Sequence, residues 1–297
     1  SAHTLPPPSI AAAASVTRLS SSRPLAIKSL PNSNFIFKVY RHNSRTIRDL
    51  DFEIKSLNTL SKYKLGVVKP VACTDGDYIC TVTYPEGTRY GVLYTFAAGR
   101  DVGSSNNDYY IYGRGIAKIH CVNLEQTSSL KELNITKQIN DSYFCINSNI
   151  KNSKRIKDKF RVFRDTLFDR LDKLDTTDLK RGFCHGDLHG GNCSIQGSQI
   201  VFYDFEHSGY GYQAYDLATF RWGCRVLKNE KPYLQFVEGY SSVCKLPYSD
   251  LKHSLLFVAA RELWVMSENI KKLRFMGSNY ISDDYFQNRL SFLTNTL

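Results

Sequence analysis

No apolar run in the sequence approaches the ~20 residues that a bilayer-spanning helix needs; residues 254–260 form the short kind that a buried helix gives. A membrane protein is therefore not expected. Glycine and proline are scarce, at 18 and 9 of 297 residues, which excludes collagen-like and low-complexity chains. The eight cysteines include no Cys-x-x-Cys pair and the seven histidines no zinc spacing, so neither a disulfide scaffold nor a zinc site is expected. Reduced thiols in a cytoplasmic protein fit better. Residues 1–14 hold a small-residue run, but no basic stretch leads into a long apolar core, and no secretory signal is expected there. A Gly-x-Ser-x-Gly elbow and a Walker lysine loop are both missing, which removes the α/β-hydrolase and P-loop classes. Acids are the minority charge, 28 against 39 Lys and Arg, for a formal net charge of +11. That excess suits anionic partners such as nucleotides and phosphorylated metabolites, although a solvated basic surface accounts for it equally well.

At roughly 150 residues per domain, the length corresponds to two domains or lobes. Strands are expected at residues 16–19, 24–30 and 35–40, the last two flanking the turn-forming Pro31-Asn32-Ser33-Asn34. The period then changes. Ile47, Leu50, Ile54, Leu57 and Leu60 recur at three- and four-residue steps, the mark of one helix face, with Ser44 as its cap. A hairpin of residues 77–84 and 89–96 turns at Pro85-Glu86-Gly87. Beyond Gly99 the pattern is helical, first over 109–121 and then along Ile156, Phe160, Phe163, Leu167, Leu171 and Leu174. The basic face of that second helix (Lys154, Arg155, Lys157, Lys159) reads as solvated surface, and nucleic acid is not an expected partner. Residues 123–152 are polar and rich in Asn and Ser, and are expected to form a loop or insertion. Short strands return at 182–185, 193–195 and 200–203, and residues 215–297 look helical. The fold class is α+β in two lobes: a β-rich lobe over 1–97 and a mainly helical lobe over 98–297.

The chemistry concentrates in Cys184-His185-Gly186-Asp187-Leu188-His189-Gly190-Gly191-Asn192 and in Val201-Phe202-Tyr203-Asp204-Phe205-Glu206. Asp187 and Asn192 are five residues apart and Asp204 follows twelve later. A strand, a glycine-bearing loop and a hairpin would bring all three together. The Asn192 amide and Asp204 carboxylate suit a hard ion such as Mg²⁺, leaving Asp187 free to orient and deprotonate a hydroxyl.

His-Gly-Asp-x-x-x-x-Asn with a later Asp-Phe-Glu resembles the catalytic segment of aminoglycoside phosphotransferases, choline kinases and related small-molecule kinases. It parallels the His-Arg-Asp…Asn and Asp-Phe-Gly pair of protein kinases. Gly186 stands where protein kinases carry Arg, which favours the small-molecule branch. The resemblance runs from Val16 to about Trp264. It implies a protein-kinase-like fold, ATP and Mg²⁺, and transfer of the γ-phosphate to a hydroxyl of an aminoglycoside-like antibiotic, a sugar or an amino alcohol. A Ser/Thr protein kinase of the same fold is the alternative. A non-catalytic binding protein is disfavoured, because no expected catalytic residue is missing.

The resemblance also implies roles. Lys38, alone in the apolar strand Phe35-Ile36-Phe37-Lys38-Val39-Tyr40, matches the nucleotide lysine; Glu53 is its expected partner, with Asp49 and Asp51 as rivals. Ser21 and Ser22 stand where a glycine loop would cover the phosphates. The Thr95 carbonyl and Ala97 N–H would read the adenine edge. Asp187 is the catalytic residue, and Asn192 and Asp204 hold the metal. His185 and His120 are expected to be structural, and Asp216 to accept loop N–H groups. Glu206, Glu262 and Trp264 are the expected acceptor-binding residues, in a pocket walled by residues 210–212 and the helix around Arg261. The partners are thus a nucleoside triphosphate and a small hydroxylated acceptor, and the net charge of +11 argues mildly against a polycation.

Overall fold

The computed structural model describes residues 16–17, 26–27, 35–123, 131–151, 153–177, 179–275 and 281–297. The first strands, β1 (Val16–Thr17) and β2 (Ala26–Ile27), pair antiparallel. Then come β3 (Phe35–Val39), α1 (Ile47–Lys62), β4 (Pro70–Val71), β5 (Ile79–Tyr84) and β6 (Gly87–Thr95). β6 is central: β3 runs antiparallel along one edge, while β5 and β4 share the other. Val92 of β6 faces Lys38 across that ladder and is fully buried.

Helices dominate the rest of the chain, beginning with α2 (Asp108–His120), α3 (Ile135–Asn149) and α4 (Lys154–Asp172). Two small antiparallel ladders interrupt them. β7 (Arg181–Cys184) pairs with β10 (Gly209–Tyr212), and enclosed between them in sequence is the hairpin of β8 (Cys193–Gln196) and β9 (Gln199–Phe202). The chain closes with α5 (Ala214–Val226), α6 (Lys231–Ser241), α7 (Tyr248–Lys252), α8 (Ser254–Phe275) and α9 (Asp283–Thr294). The architecture is α+β, strand-rich before residue 96 and mainly helical after it.

Two apolar cores hold these elements. One joins the main sheet and α1 to α2, β8, β9, α5 and α6 through residues such as Leu57, Tyr112, Phe202 and Phe236. The other lies among α3, α4, α8 and α9, around Ile139, Phe160, Phe257 and Phe286. α2 and α6 approach so closely that a Cβ on Gly113 would lie 1.9 Å from the Phe236 carbonyl oxygen, and one on Gly239 2.0 Å from that of Tyr110. Only glycine fits such a crossing.

Several expectations are corrected. The cap of α1 is Thr46, not Ser44: Thr46 accepts from the Asp49 N–H (3.2 Å), and Asp49 Oδ2 accepts from the Thr46 N–H (3.0 Å). This reciprocal pair satisfies two otherwise orphaned donors, whereas Ser44 donates to the Arg41 carbonyl in the preceding turn. Residues 123–152 are not all loop, because α3 occupies 135–149. Its stripe of Ile135, Ile139, Tyr143 and Ile146 is buried in the second core, and Asn134 caps it through the Lys137 N–H (2.8 Å). The short strands β4 and β10 had no counterpart among the expected elements. Among the described residues no helix is long and apolar enough to cross a membrane, and all eight cysteines are free.

Candidate active site

β7 delivers the chain to His185 and Gly186, whose backbone N–H groups both donate to the Asp216 carboxylate, at 2.6 and 2.8 Å. Asp216 sits in the first turn of α5, fully buried, and also contacts His120 Nε2 (3.0 Å); His120 Nδ1 in turn meets the Tyr240 hydroxyl (3.0 Å). These bonds clamp the loop from beneath. Gly186 has φ +81°, and a Cβ there would lie 2.0 Å from the His207 carbonyl oxygen. His185 Nε2 lies 3.0 Å from the Tyr203 carbonyl, while Nδ1 accepts from the Asp187 N–H at 3.3 Å. One ring nitrogen donates and the other accepts, which is the neutral tautomer. Burial pushes the His185 pKa down and keeps it neutral. It is structural.

The loop next orders Asn192, whose Nδ2 donates to the Asp187 carbonyl (2.9 Å) and to Asp187 Oδ2 (3.3 Å). With Nδ2 committed to Asp187, Oδ1 is the side-chain oxygen that Asn192 has left to offer. The Tyr203 N–H donates to the Asn192 carbonyl (2.9 Å), so the hairpin brings Asp204 within one residue of that amide. Asp204 adopts a left-handed conformation (φ 65°, ψ 56°). That is uncommon outside glycine and costs about 1–2 kcal/mol, and here it accompanies a carboxylate set on Lys38. The Lys38 ammonium lies 2.5 Å from Asp204 Oδ1 and 3.2 Å from Glu206 Oε2. Burial works against its charge, but Asp204, Glu206 and Glu53 together hold its pKa well above the ordinary value.

Glu53 is buried on the inner face of α1, as its position beside the apolar stripe implied, but it does not grip Lys38. It accepts instead from the hydroxyls of Tyr40 (3.0 Å) and Tyr94 (3.1 Å). Burial pushes its pKa up, against the pull of Lys38. Asp49 is committed to the α1 cap and to Lys131 (3.4 Å).

Arg261 enters from α8. Its Nη2 donates to Asp187 Oδ1, and His189 Nε2 stands 3.6 Å from Asp187 Oδ2. Burial pushes the Asp187 carboxyl upward, yet the Arg261 guanidinium and His189 outweigh it and hold its pKa well below the usual carboxylate range. The pairing went unforeseen, but a signal exists: Arg261 and Glu262 are adjacent charges inside the apolar run 255–266 of that helix, and buried charges demand partners. Trp264, one turn on, lies 4.2 Å beneath the guanidinium and meets His207 edge-on at 5.1 Å.

Glu206 joins the cluster through Lys38, His207 (3.3 Å) and Arg45 (3.8 Å). Burial raises its carboxyl less than these cations lower it, so its pKa falls well below normal. Glu262 is a correction. It is fully buried, with both oxygens engaged by Arg289 and one also by Trp222 Nε1 (2.7 Å), and it does not open on an acceptor pocket. Thr95 fixes the connector through its N–H to the Lys69 carbonyl and its Oγ1 from the Lys69 N–H, both 2.9 Å. Ala97 packs on the first core. Ser21 and Ser22 lie outside the described residues.

Asn192 Oδ1 and the Asp204 carboxylate are hard oxygen donors of the kind a divalent ion with water and phosphate ligands takes. The Asp187 carboxylate, in contact with Asn192 Nδ2, is held in its ionised form.

The sequence pattern of the phosphotransferase enzyme family matches residues 22–249, more than half of the chain. The chain belongs to that family. A Synechocystis protein without assigned function is 23% identical over 86% of this chain and 73% of its own length. Two solved structures share the fold. An amicoumacin kinase in complex with AMP-PNP, Ca²⁺ and Ami matches with a TM-score of 0.75 and 18% identity, over 95% of this chain and 87% of that one. A microcompartment-associated aminopropanol kinase matches at 0.73 and 19%, over 96% and 90%. The phosphotransferase family and the kinase-like fold that the resemblance implied are thereby established.

Proposed function

We propose that the chain is an ATP-dependent O-phosphotransferase that moves the γ-phosphoryl group to a hydroxyl of a small molecule. One observation carries the reading. Lys38, the Asp187–Asn192 loop and Asp204 come from three separate segments, and contacts of 2.5–3.3 Å link Lys38 to Asp204 and Asp187 to Asn192. The relatives named for amicoumacin and aminopropanol support a nucleotide and a small acceptor. Their acceptors differ, so the fold alone does not fix this one.

Lys38 exchanges the carboxylates of Asp204 and Glu206 for phosphate oxygens of the nucleotide. Mg²⁺ held by Asn192 Oδ1 and Asp204 would supply further neutralisation of phosphate charge. Asp187 accepts a hydrogen bond from the acceptor hydroxyl and aligns its oxygen on the γ-phosphorus. As that O–P bond forms, the bond to the β,γ-bridging oxygen breaks, ADP leaves, and the hydroxyl proton passes to Asp187. A carboxylate whose pKa is held this low is a weak base, so orientation precedes proton transfer, in keeping with a loose transition state. Positioning and charge neutralisation supply most of the acceleration.

In this reading residues 1–97 form the nucleotide lobe, with Ser21, Ser22, Thr95 and Ala97 as nucleotide contacts, and residues 98–297 the catalytic and acceptor lobe. Glu206 and Trp264 remain acceptor-side residues. The test is an ADP-release screen with ATP and Mg²⁺ over aminoglycosides, amino alcohols, sugars and hydroxy acids. Acceptor-dependent ADP release, with a phosphate ester in the product by ³¹P NMR, supports the reading. Failure of every acceptor together with failure to bind AMP-PNP overturns it.

A further inference from the structure

Arg261 is a buried cation that the proposed reaction uses only through its pairing with Asp187. Its side chain is 3% exposed. Nη2 is spent on Asp187, but Nε and Nη1 are buried without a hydrogen-bond acceptor among the described residues. The Tyr215 hydroxyl stands near enough to favour the guanidinium charge, yet it completes no aligned bond to either nitrogen. A guanidinium has five N–H donors, and leaving buried ones unmet is unfavourable. Oxygen acceptors are what this group lacks.

The surroundings carry the same sign. A cleft of about 710 Å³ opens beside His207, whose ring packs on Trp264 next to Arg261. Arg41, Arg45, Arg89 and Lys271 line it against only two acids, Glu86 and Glu268. Both acids are already paired, Glu86 with Arg89 and Glu268 with Lys271. Of the carboxylates nearest the site, Glu262 is taken by Arg289, and Glu206 keeps His207 and Arg45 as partners when Lys38 turns to the nucleotide. With Arg89 and Lys271 held in those same pairs and Arg45 3.8 Å from Glu206, the lining still carries an excess of positive charge, which favours an anion over an amine.

We infer that the phosphoryl acceptor carries an anionic group, a carboxylate or a phosphate, beside its reacting hydroxyl, and that Arg261 binds that group. The inference rests on the phosphotransferase reading and narrows its acceptor. Arg261 then does two things with one guanidinium: Nη2 steadies Asp187, and the remaining donors hold the acceptor's anion, fixing the hydroxyl relative to the base. Guanidinium is well matched to both anions, because its planar donors meet carboxylate and phosphate oxygens in the same geometry.

The test compares probes that differ in charge, on protein loaded with AMP-PNP and Mg²⁺ for binding and with ATP for turnover. Glycerate and gluconate supply carboxylates, glycerol 3-phosphate and glucose 6-phosphate supply phosphates, glycerol and glucose are neutral, and 1-amino-2-propanol and kanamycin are cationic. The expected result is a melting-temperature rise, and a Kd at least tenfold lower than for the neutral parents, with one of the anionic pairs. Whichever pair responds names the anion. Arg261→Gln is expected to erase that tenfold preference and Arg261→Lys, which keeps the charge and the packing stem, to retain part of it. AMP-PNP affinity should stay within threefold in both. Better binding or turnover with the neutral or cationic probes, no response to any anionic probe, or an anion preference that survives Arg261→Gln overturns the inference while AMP-PNP binding keeps the kinase reading intact. Loss of AMP-PNP binding by the wild type overturns both.

Discussion

Asp216→Asn isolates the clamp beneath the catalytic loop. The native carboxylate takes two backbone N–H groups, from His185 at 2.6 Å and Gly186 at 2.8 Å, and faces His120 Nε2 at 3.0 Å, all in a fully buried setting. Asparagine keeps one oxygen and turns an NH₂ toward the other donor. One buried N–H is then unmet and a charge-assisted bond is lost, which together cost about 2–4 kcal/mol. For a chain of this length each kcal/mol moves the melting temperature by roughly 2 °C, so a drop of about 4–8 °C is expected. The damage should reach chemistry as well. Asp187 follows directly on the two clamped residues, and a displacement near 1 Å at a reacting group can reduce a rate by ~10²-fold. Urea denaturation of both proteins, with kcat at saturating substrates, measures the two effects. A stability loss under ~0.5 kcal/mol, where ordinary surface substitutions fall, with kcat within twofold would refute the clamp.

Lys38→Ala removes the cation between Asp204 and Glu206, and calorimetric titration should show AMP-PNP affinity falling tenfold or more; an unchanged Kd removes Lys38 from the nucleotide site. Glu262→Gln breaks the ion pair to Arg289 and should cost about 1.5–3 kcal/mol in urea denaturation, as hydrogen bonds to charged groups do, with the acceptor KM unchanged. A raised acceptor KM without loss of stability would return Glu262 to the pocket. Asp250 supplies a pH signature, because burial lifts its carboxyl from 3.8 to about 6. The folded state then binds the proton more tightly than the unfolded one. Its contribution to stability is full below about pH 4 and is lost as pH rises through 6; wild-type urea midpoints should carry that slope between pH 4 and 8 and the Asp250→Asn variant should lack it, whereas equal slopes would count against the shift.

The catalytic loop was the most legible part of the sequence. Its backbone turn requires Gly186, and the hairpin that follows returns Tyr203 to Asn192 and so sets Asp204 close in the chain to that loop, so local spacing carries most of the information. Lys38 was legible for a similar reason, as a lone charge in an alternating strand. Its partner was not. Whether Lys38 meets Glu53 or Asp204 depends on how α1 and the hairpin close around it, and Tyr40 and Tyr94 compete for Glu53. Helix α3 was obscured by composition, since Asn and Ser around Ile139 and Ile146 mask a stripe that tertiary packing rewards. The misreading of Glu262 has a geometric cause. Neighbours on a helix point about 100° apart, so Arg261 and Glu262 serve different surroundings, while Trp264, three residues on, shares the Arg261 face.

The central claim, that Asp187 is the group on which the acceptor hydroxyl is aligned for phosphoryl transfer, is tested most directly by acceptor-dependent ADP release in Asp187→Asn, with AMP-PNP binding measured on the same preparation. General acid–base groups contribute about 10²–10⁴-fold, so kcat should fall by that factor while the AMP-PNP Kd stays within threefold. A kcat within tenfold of wild type would contradict the claim.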